Sequence, residues 1–271
     1  MAVRTDTTSW IVSARAHWMR RLTTAAALTL SAAAFTSQAV ADTLIVQGSS
    51  TLNRRLFERH QADVEQLSGH ELTIIPNRTM LGLIALMEGR AHLGMISSPL
   101  QSEIAALEKV MPGLAYKRLQ AHEIMATRVG LGVHASNPVR KASLEQMKQI
   151  LLGKITKWSE LGGRDEPIRI VLVGGGGGVA GTIESALLDG QQVSAANVLY
   201  VKTAVQLVQV TEQEPNALGI GQIYLIKQRG IPEIATERPI EQSLGFVTLG
   251  DPTPAMKAVI DAARQVAGKM L

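Results

Sequence analysis

The chain has 271 residues, no cysteine, 46% hydrophobic and only 3% aromatic residues, and a formal net charge of +4. This composition excludes a disordered chain, a disulfide scaffold and a thiolate metal site. Much of the positive charge sits at the start, where Arg20 and Arg21 precede the apolar run Leu22 to Phe35 and Ala39-Val40-Ala41 then supplies the small-x-small pattern of a signal-peptidase site. Residues 1–41 are expected to be a removed signal peptide, cleaved before Asp42, with the mature chain in the periplasm. The run falls short of the ~20 apolar residues of a membrane span. Residues 1–41 carry Arg4, Arg15, Arg20 and Arg21 against Asp6 alone, so the charge of the remaining chain falls to +1. A near-neutral domain lacks the field that non-specific nucleic-acid binding needs, and no nucleic-acid partner is expected.

From Asp42 onward short β-rich runs alternate with amphipathic stretches, the pattern of an α/β protein. Thr43 to Val46 reads as a buried strand. The turn Gly48-Ser49-Ser50-Thr51 follows, and Leu52, Leu56, His60, Val64 and Leu67 recur at helical spacing until Ser68-Gly69. Leu72 to Ile75 predicts a second strand, Met80 to Glu88 a helix, and His92 to Ile96 a third strand closed by Ser97-Ser98-Pro99. Ile124 to Val133 is strand-like. Ser143 caps a helix in which Leu144, Met147, Ile150 and Leu151 share a face, and Gly153 ends it. Ile168 to Val173 is a strong β run, followed by five glycines and a helix start at Gly181-Thr182-Ile183-Glu184. Val198 to Val201, Ala217 to Ile220 and Phe246 to Leu249 are further candidate strands, and Ala255 to Met270 an amphipathic helix. No solenoid-type repeat and no Pro- or Ser-rich linker divides the chain.

Several strand ends carry small hydroxyl residues just before a helix. At Gly48-Ser49-Ser50-Thr51, free N–H groups and hydroxyl donors would converge and suit an oxyanion, although Ser and Thr are equally ordinary N-caps. Arg78-Thr79 and Ser97-Ser98 repeat the arrangement, and ligands of open α/β sheets gather outside the carboxyl ends of the strands. In each case the alternative is a hydroxyl bonding its own turn. Gly174 to Gly178 offers backbone N–H groups to a ligand, or is a slack loop. The same run matches the dinucleotide fingerprint at Gly176-x-Gly178-x-x-Gly181, but the next strand runs into Lys202 where that fingerprint expects an acid.

The order of these residues resembles the phosphate-binding, PstS-like branch of the type II periplasmic solute-binding proteins. The resemblance covers nearly all of residues 43–249 and rests on four segments. These are Gly48-Ser-Ser-Thr-Leu, Gly89-Arg-Ala-His-Leu-Gly-Met-Ile-Ser-Ser-Pro-Leu100, Ile150-Leu-Leu-Gly-Lys-Ile-Thr-Lys-Trp-Ser-Glu-Leu-Gly-Gly163 and Ala217-Leu-Gly-Ile-Gly221. It implies a type II periplasmic binding protein fold of two α/β lobes joined by two crossover strands with a ligand cleft between. Lobe 1 would take residues 42–125 and 220–271, and lobe 2 residues 126–219. It further implies phosphate or a related tetrahedral oxyanion held without metal or cofactor, a monomer, and delivery to an inner-membrane ABC permease. The ligand contacts carried over by motif fall on Ser50, Thr51 and the Leu52 backbone, on Thr79 and Ser97, and on Gly177, Gly178 and Val179.

Two departures stand out. The family's last loop usually reads Arg-x-x-Gly-Ser-Gly-Thr, whereas the aligned run here starts at Val173 and gives Gly176-Gly177-Gly178-Val179, without the Arg, Ser and Thr side chains. Arg78, or Arg54 and Arg55 on the first helix, would supply the missing charge. Ser97 stands where phosphate binders often have Asp, so weak discrimination between phosphate and other oxyanions is expected.

His60, His70, His92, His122 and His134 show no metal-ligand spacing, and no G-x-S-x-G elbow exists. Glu184 is expected in a first helical turn, stabilised by the dipole. The reading that follows is a non-enzymatic periplasmic oxyanion receptor. Its alternatives are an accessory or signalling protein that has lost phosphate binding and a nucleotide-using enzyme built on the Gly176 fingerprint.

Overall fold

The computed structural model describes residues 43–174 and 178–270. The expected signal peptide and its cleavage site lie outside the described residues, as does Gly177.

Eight strands form one sheet in the order β2-β1-β3-β8-β4-β7-β5-β6. β1 (Leu44–Ser49) pairs in parallel with β2 (Leu72–Asn77) and β3 (Leu93–Ile96), and β5 (Arg169–Val173) pairs in parallel with β6 (Val198–Val201) and β7 (Ala217–Gln222). Between these two halves runs an antiparallel ribbon of β4 (Leu119–Val133) and β8 (Ile240–Leu249). β3 joins the ribbon at Gly245 to Val247, whereas β7 joins it at Val129 to Val133. The stretch between these attachments, facing Glu241 to Leu244, belongs to the ribbon alone and contains a bulge between Glu123 and Met125.

The inner strands β1, β3, β5 and β7 are buried on both faces, alternate residues pointing to opposite sides, whereas the edge strands β2 and β6 are partly exposed. In β5, Ile170 and Leu172 enter the cluster that includes Met147 and Trp158, while Val171 joins Leu207 and Val208 on the other face. In β8, Leu244 and Phe246 pack with α9 (Pro254–Gly268) and Val247 packs toward α3 (Thr79–Met87) and α4 (Leu100–Val110). Ile220, Ile226, Ile231 and Ile234 pack in the clusters of the β5–β6–β7 half.

The strands expected at Ile124 and Phe246 begin earlier, at Leu119 and Ile240. Their added residues alternate with polar ones such as Gln120, His122 and Glu241, which an apolar run does not include. The helix expected from Leu52 to Leu67 is α1 (Ser50–Leu52), a π-helical turn at Asn53–Phe57, and α2 (Glu58–Ser68), with His60 off helical geometry. The π-turn inserts one residue into the helical ladder and so rotates Arg54 and Arg55 relative to a straight helix. The helix at Ser143 forms as α5 (Leu144–Leu151), with a full capping box to Gln146. α6 runs Gly178–Leu187, so Glu184 lies in its interior rather than its first turn, and burial raises its pKa where dipole stabilisation would have lowered it. α7 (Ala204–Gln213) and α8 (Ile223–Gln228) complete the set. No described helix is long and apolar enough to cross a membrane.

Candidate oxyanion site

The carboxyl ends of all six parallel strands open on one cavity of about 290 Å³. Ser49, Ser50 and Thr51 follow β1, Arg78 and Thr79 follow β2, and Ser97 follows β3. From the other half come Gly174, Gly178, Val179 and Ala180 after β5, Lys202 and Thr203 after β6, and Gln222 at the end of β7.

The first loop is fixed by backbone sterics. Gly48 has φ +136, and a Cβ there would run into the carbonyl oxygen of Met95 on β3, so only glycine lets β1 turn at this point. Ser49 then caps α1, accepting from the N–H of Thr51 at 3.2 Å and of Leu52 at 3.3 Å. Leu52 is fully buried, does not line the cavity, and has its N–H engaged by this cap. Ser50 and Thr51 do face the cavity, and Thr51 Oγ1 accepts from Gln222 Nε2 at 3.0 Å across to β7. Arg78, the N-cap residue of α3, is extended and supplies no side-chain cap, so side chains leave the first N–H groups of that helix unclaimed beside Thr79.

Ser97 is 3% exposed, and its carbonyl accepts from buried Gln242 Nε2 at 2.7 Å. On the opposite wall Gly178 has φ +55, and a Cβ there would lie 3.7 Å from Ser97 Oγ, so the α6 N-terminus closes directly on the β3 loop. Thr182 Oγ1 donates to Gly178 O at 2.8 Å and holds this turn. Of the residues implied by resemblance, the structure thus brings Ser50, Thr51, Thr79, Ser97, Gly178 and Val179 together.

The electrostatics are one-sided. Arg54, Arg78 and Lys202 line the cavity, and no Asp or Glu does among the described residues. Arg54 Nη1 donates to Tyr224 Oη at 3.3 Å, and that bond, with help from the tyrosine oxygen and Glu58, raises its pKa against the effect of burial. Arg55 instead lies with its guanidinium 5.5 Å from the Tyr224 ring centroid and does not line the cavity. Arg78 and Lys202 are exposed and make no ion pair among the described residues. Lys202 is the functional candidate that sequence reading misses. Its N–H donates to Gln206 Oε1 and Thr203 caps α7, so the loop is held at the mouth. The visible signal was a cation directly after a strand at the carboxyl edge, where it faces the same site as the β5 loop beside it.

The PBP superfamily domain model matches residues 33–261. The chain belongs to the PBP superfamily. The phosphate-binding protein PstS of Bacillus subtilis (strain 168) is 26% identical over 149 residues, covering 55% of this chain, and the chain spans about half of that relative, 47% of its length. An ABC-type phosphate transport receptor from Vibrio cholerae superposes with TM-score 0.66 at 18% identity, over 84% of this chain and 98% of the receptor. A phosphate ABC transporter substrate-binding protein from Clostridium perfringens, solved with bound phosphate and described as putative, gives 0.64 at 20% identity, over 84% and 97%. At this identity the structural matches establish the PBP fold and leave the ligand to the residues of the cavity.

Proposed function

We propose that this protein binds phosphate or a closely related tetrahedral oxyanion reversibly, in the cavity at the carboxyl ends of the six parallel strands, as the receptor of an ABC-type import system. The observation that carries this reading is the wall composition: three cations, the hydroxyls of Ser50, Thr51, Thr79 and Ser97, helix N-termini, and no described carboxylate. Helix N-termini favour anions through unpaired N–H groups and the macrodipole. Arg54 and Lys202 take the part of the arginine absent from the β5 loop, and Arg78 adds to the field. The ligand is held by hydrogen bonds and charge, with no covalent step, so the protein acts as a carrier and not as an enzyme.

Two lobes go with this reading, joined by β4 and β8. The packing of Ile226 and Ile231 with Val171 and Leu207 supports a return of the chain to the first lobe along β8 rather than at residue 220. Closure about the ribbon would bring Thr51 to Gln222 and Arg54 to Tyr224, the contacts present here. The protein is read as an exported, monomeric periplasmic receptor that hands its anion to a membrane permease.

The test is calorimetric titration of protein stripped of copurified anion, with phosphate and then sulfate. Micromolar or tighter binding of either ion is expected. Absence of heat with both, from a protein shown to be folded, would refute the reading.

A further inference from the structure

Behind the Ser97 loop lies a carboxylate that does not line the cavity. Glu103, in the first turn of α4, is 2% exposed, and the hydroxyl of Ser98, itself 1% exposed, donates to it. The backbone N–H of Gly178 faces the same carboxylate from the start of α6. α6 presses on this point, because a Cβ at Gly181 would come within 3.3 Å of Ser98 Cβ. Glu103 therefore sits at the seam of two cavity walls, held by Ser98, the residue after Ser97, on one side and by Gly178 on the other.

Burial holds the Glu103 carboxyl above the usual carboxylate range, partly offset by the Ser98 hydroxyl and the Gly178 N–H. The charged groups on the packed helices are Glu108 and Lys109 on α4 and Glu184 on α6, with none on the Ser97-Ser98-Pro99 turn. Glu108 acts on Tyr116, and Lys109 acts on Glu184. None of these, and none of the cavity cations Arg54, Arg78 and Lys202, is among the groups that set the state of Glu103. An oxyanion seated between Ser97 and the first turn of α6 thus brings a negative charge toward a buried carboxylate that has no cation of its own among the described residues. A like charge at short range favours the protonated acid, and by linkage the protonated acid favours the anion.

We propose that Glu103 is a positioning residue that makes oxyanion binding proton-linked: in the empty site it holds Ser98 and Gly178, and it takes up a proton from solvent as the anion binds. The proposal rests on the oxyanion reading above. The only bond formed is the carboxyl O–H, and the Ser98 and Gly178 donors keep the second carboxyl oxygen as acceptor. The pocket then accepts a fully ionised tetrahedral anion more readily as pH falls.

Sulfate is the probe of choice, because it does not titrate in this range. Calorimetry of the wild-type protein in two buffers of different ionisation enthalpy, between about pH 5 and pH 8, is expected to show proton uptake and about tenfold tighter sulfate binding at the acid end. Glu103→Gln keeps an acceptor for Ser98 and Gly178 but cannot take the proton, so uptake and pH dependence are expected to vanish. With phosphate, wild type is expected to take up more protons than E103Q at the same pH, which cancels the ion's own titration. Equal proton counts in the two proteins, or sulfate bound by wild type without uptake at about pH 6, overturn the proposal while leaving oxyanion binding intact. The wild-type count decides alone if E103Q does not fold. Failure of folded wild type to bind either anion overturns both readings.

Discussion

Replacing Lys202 with methionine removes a charge from the cavity wall while keeping the length of an apolar stem. Two unit charges about 4 Å apart interact with about 1 kcal/mol in water and about 4 kcal/mol near a protein surface. Lys202 is exposed and makes no ion pair among the described residues, so the aqueous end applies and a loss of about 1 to 1.5 kcal/mol is expected. This converts to a dissociation constant about five- to tenfold weaker for phosphate. The loss should shrink with salt, because the screening length falls from about 30 Å at 0.01 M to about 10 Å at 0.1 M. Lys202→Arg should retain most of the affinity. The assay is calorimetric titration of the three proteins at the two salt concentrations. A K202M affinity within about twofold of wild type at the lower salt would show that Lys202 does not reach the ligand, and the charge substitution would then fall to Arg54 and Arg78 alone.

Val173 lines the cavity at the end of β5, at the position for which the resemblance to phosphate-binding proteins implies arginine; Val173→Arg should tighten phosphate binding about tenfold, and an unchanged or weaker constant would reject that register. Gly48→Ala should destabilise the fold by about 3 kcal/mol, read as a lower urea midpoint, since it combines a strained φ with a clash against β3; a midpoint equal to wild type would contradict the geometry. Burial, helped by Arg264, holds His122 below the usual imidazole range, so the folded state carries fewer protons on it than the unfolded chain. The stability this represents is present above about pH 6.5 and is lost as pH falls through that value toward the lower folded-state pKa. His122→Gln should therefore flatten the fall in urea midpoint between about pH 7.5 and pH 5, and an unaltered slope would place the acid sensitivity elsewhere.

The candidate site was legible where chemistry is local. Thr51, Thr79 and Ser97 each stand at a strand end before a helix, and strand ends meet because parallel pairing aligns them. Leu52 stands outside the cavity lining for an equally local reason: Ser49 caps its N–H, a bond that sequence can propose but not rank against a ligand. Arg54 and Arg55 are equivalent in the sequence, but neighbours on a helical turn point to different sides, so Arg54 lines the cavity and bonds the Tyr224 hydroxyl while Arg55 lies by the Tyr224 ring. Lys202 belongs to the site through topology, because β6 lies beside β5, and no spacing in the chain reports that neighbour relation. α4 is not legible because Ser97-Ser98-Pro99 reads as a closing turn, and neither is Glu103, whose burial is decided by the packing of α6, which starts far along the chain at Gly178.

The strand order leaves β2 and β6 as the two free edges, and each is a poor template for a second chain. β2 contains Pro76, which pairs opposite Gly48 and has no N–H to offer outward, and β6 is four residues long and is followed at once by Lys202. Unpaired edges invite edge-to-edge aggregation, and proline, charge and brevity are the devices that blunt it. Edge-to-edge growth of the eight-stranded sheet is thereby disfavoured, and Lys202, which lines the mouth of the cavity, stands directly beyond one of the two blunted edges.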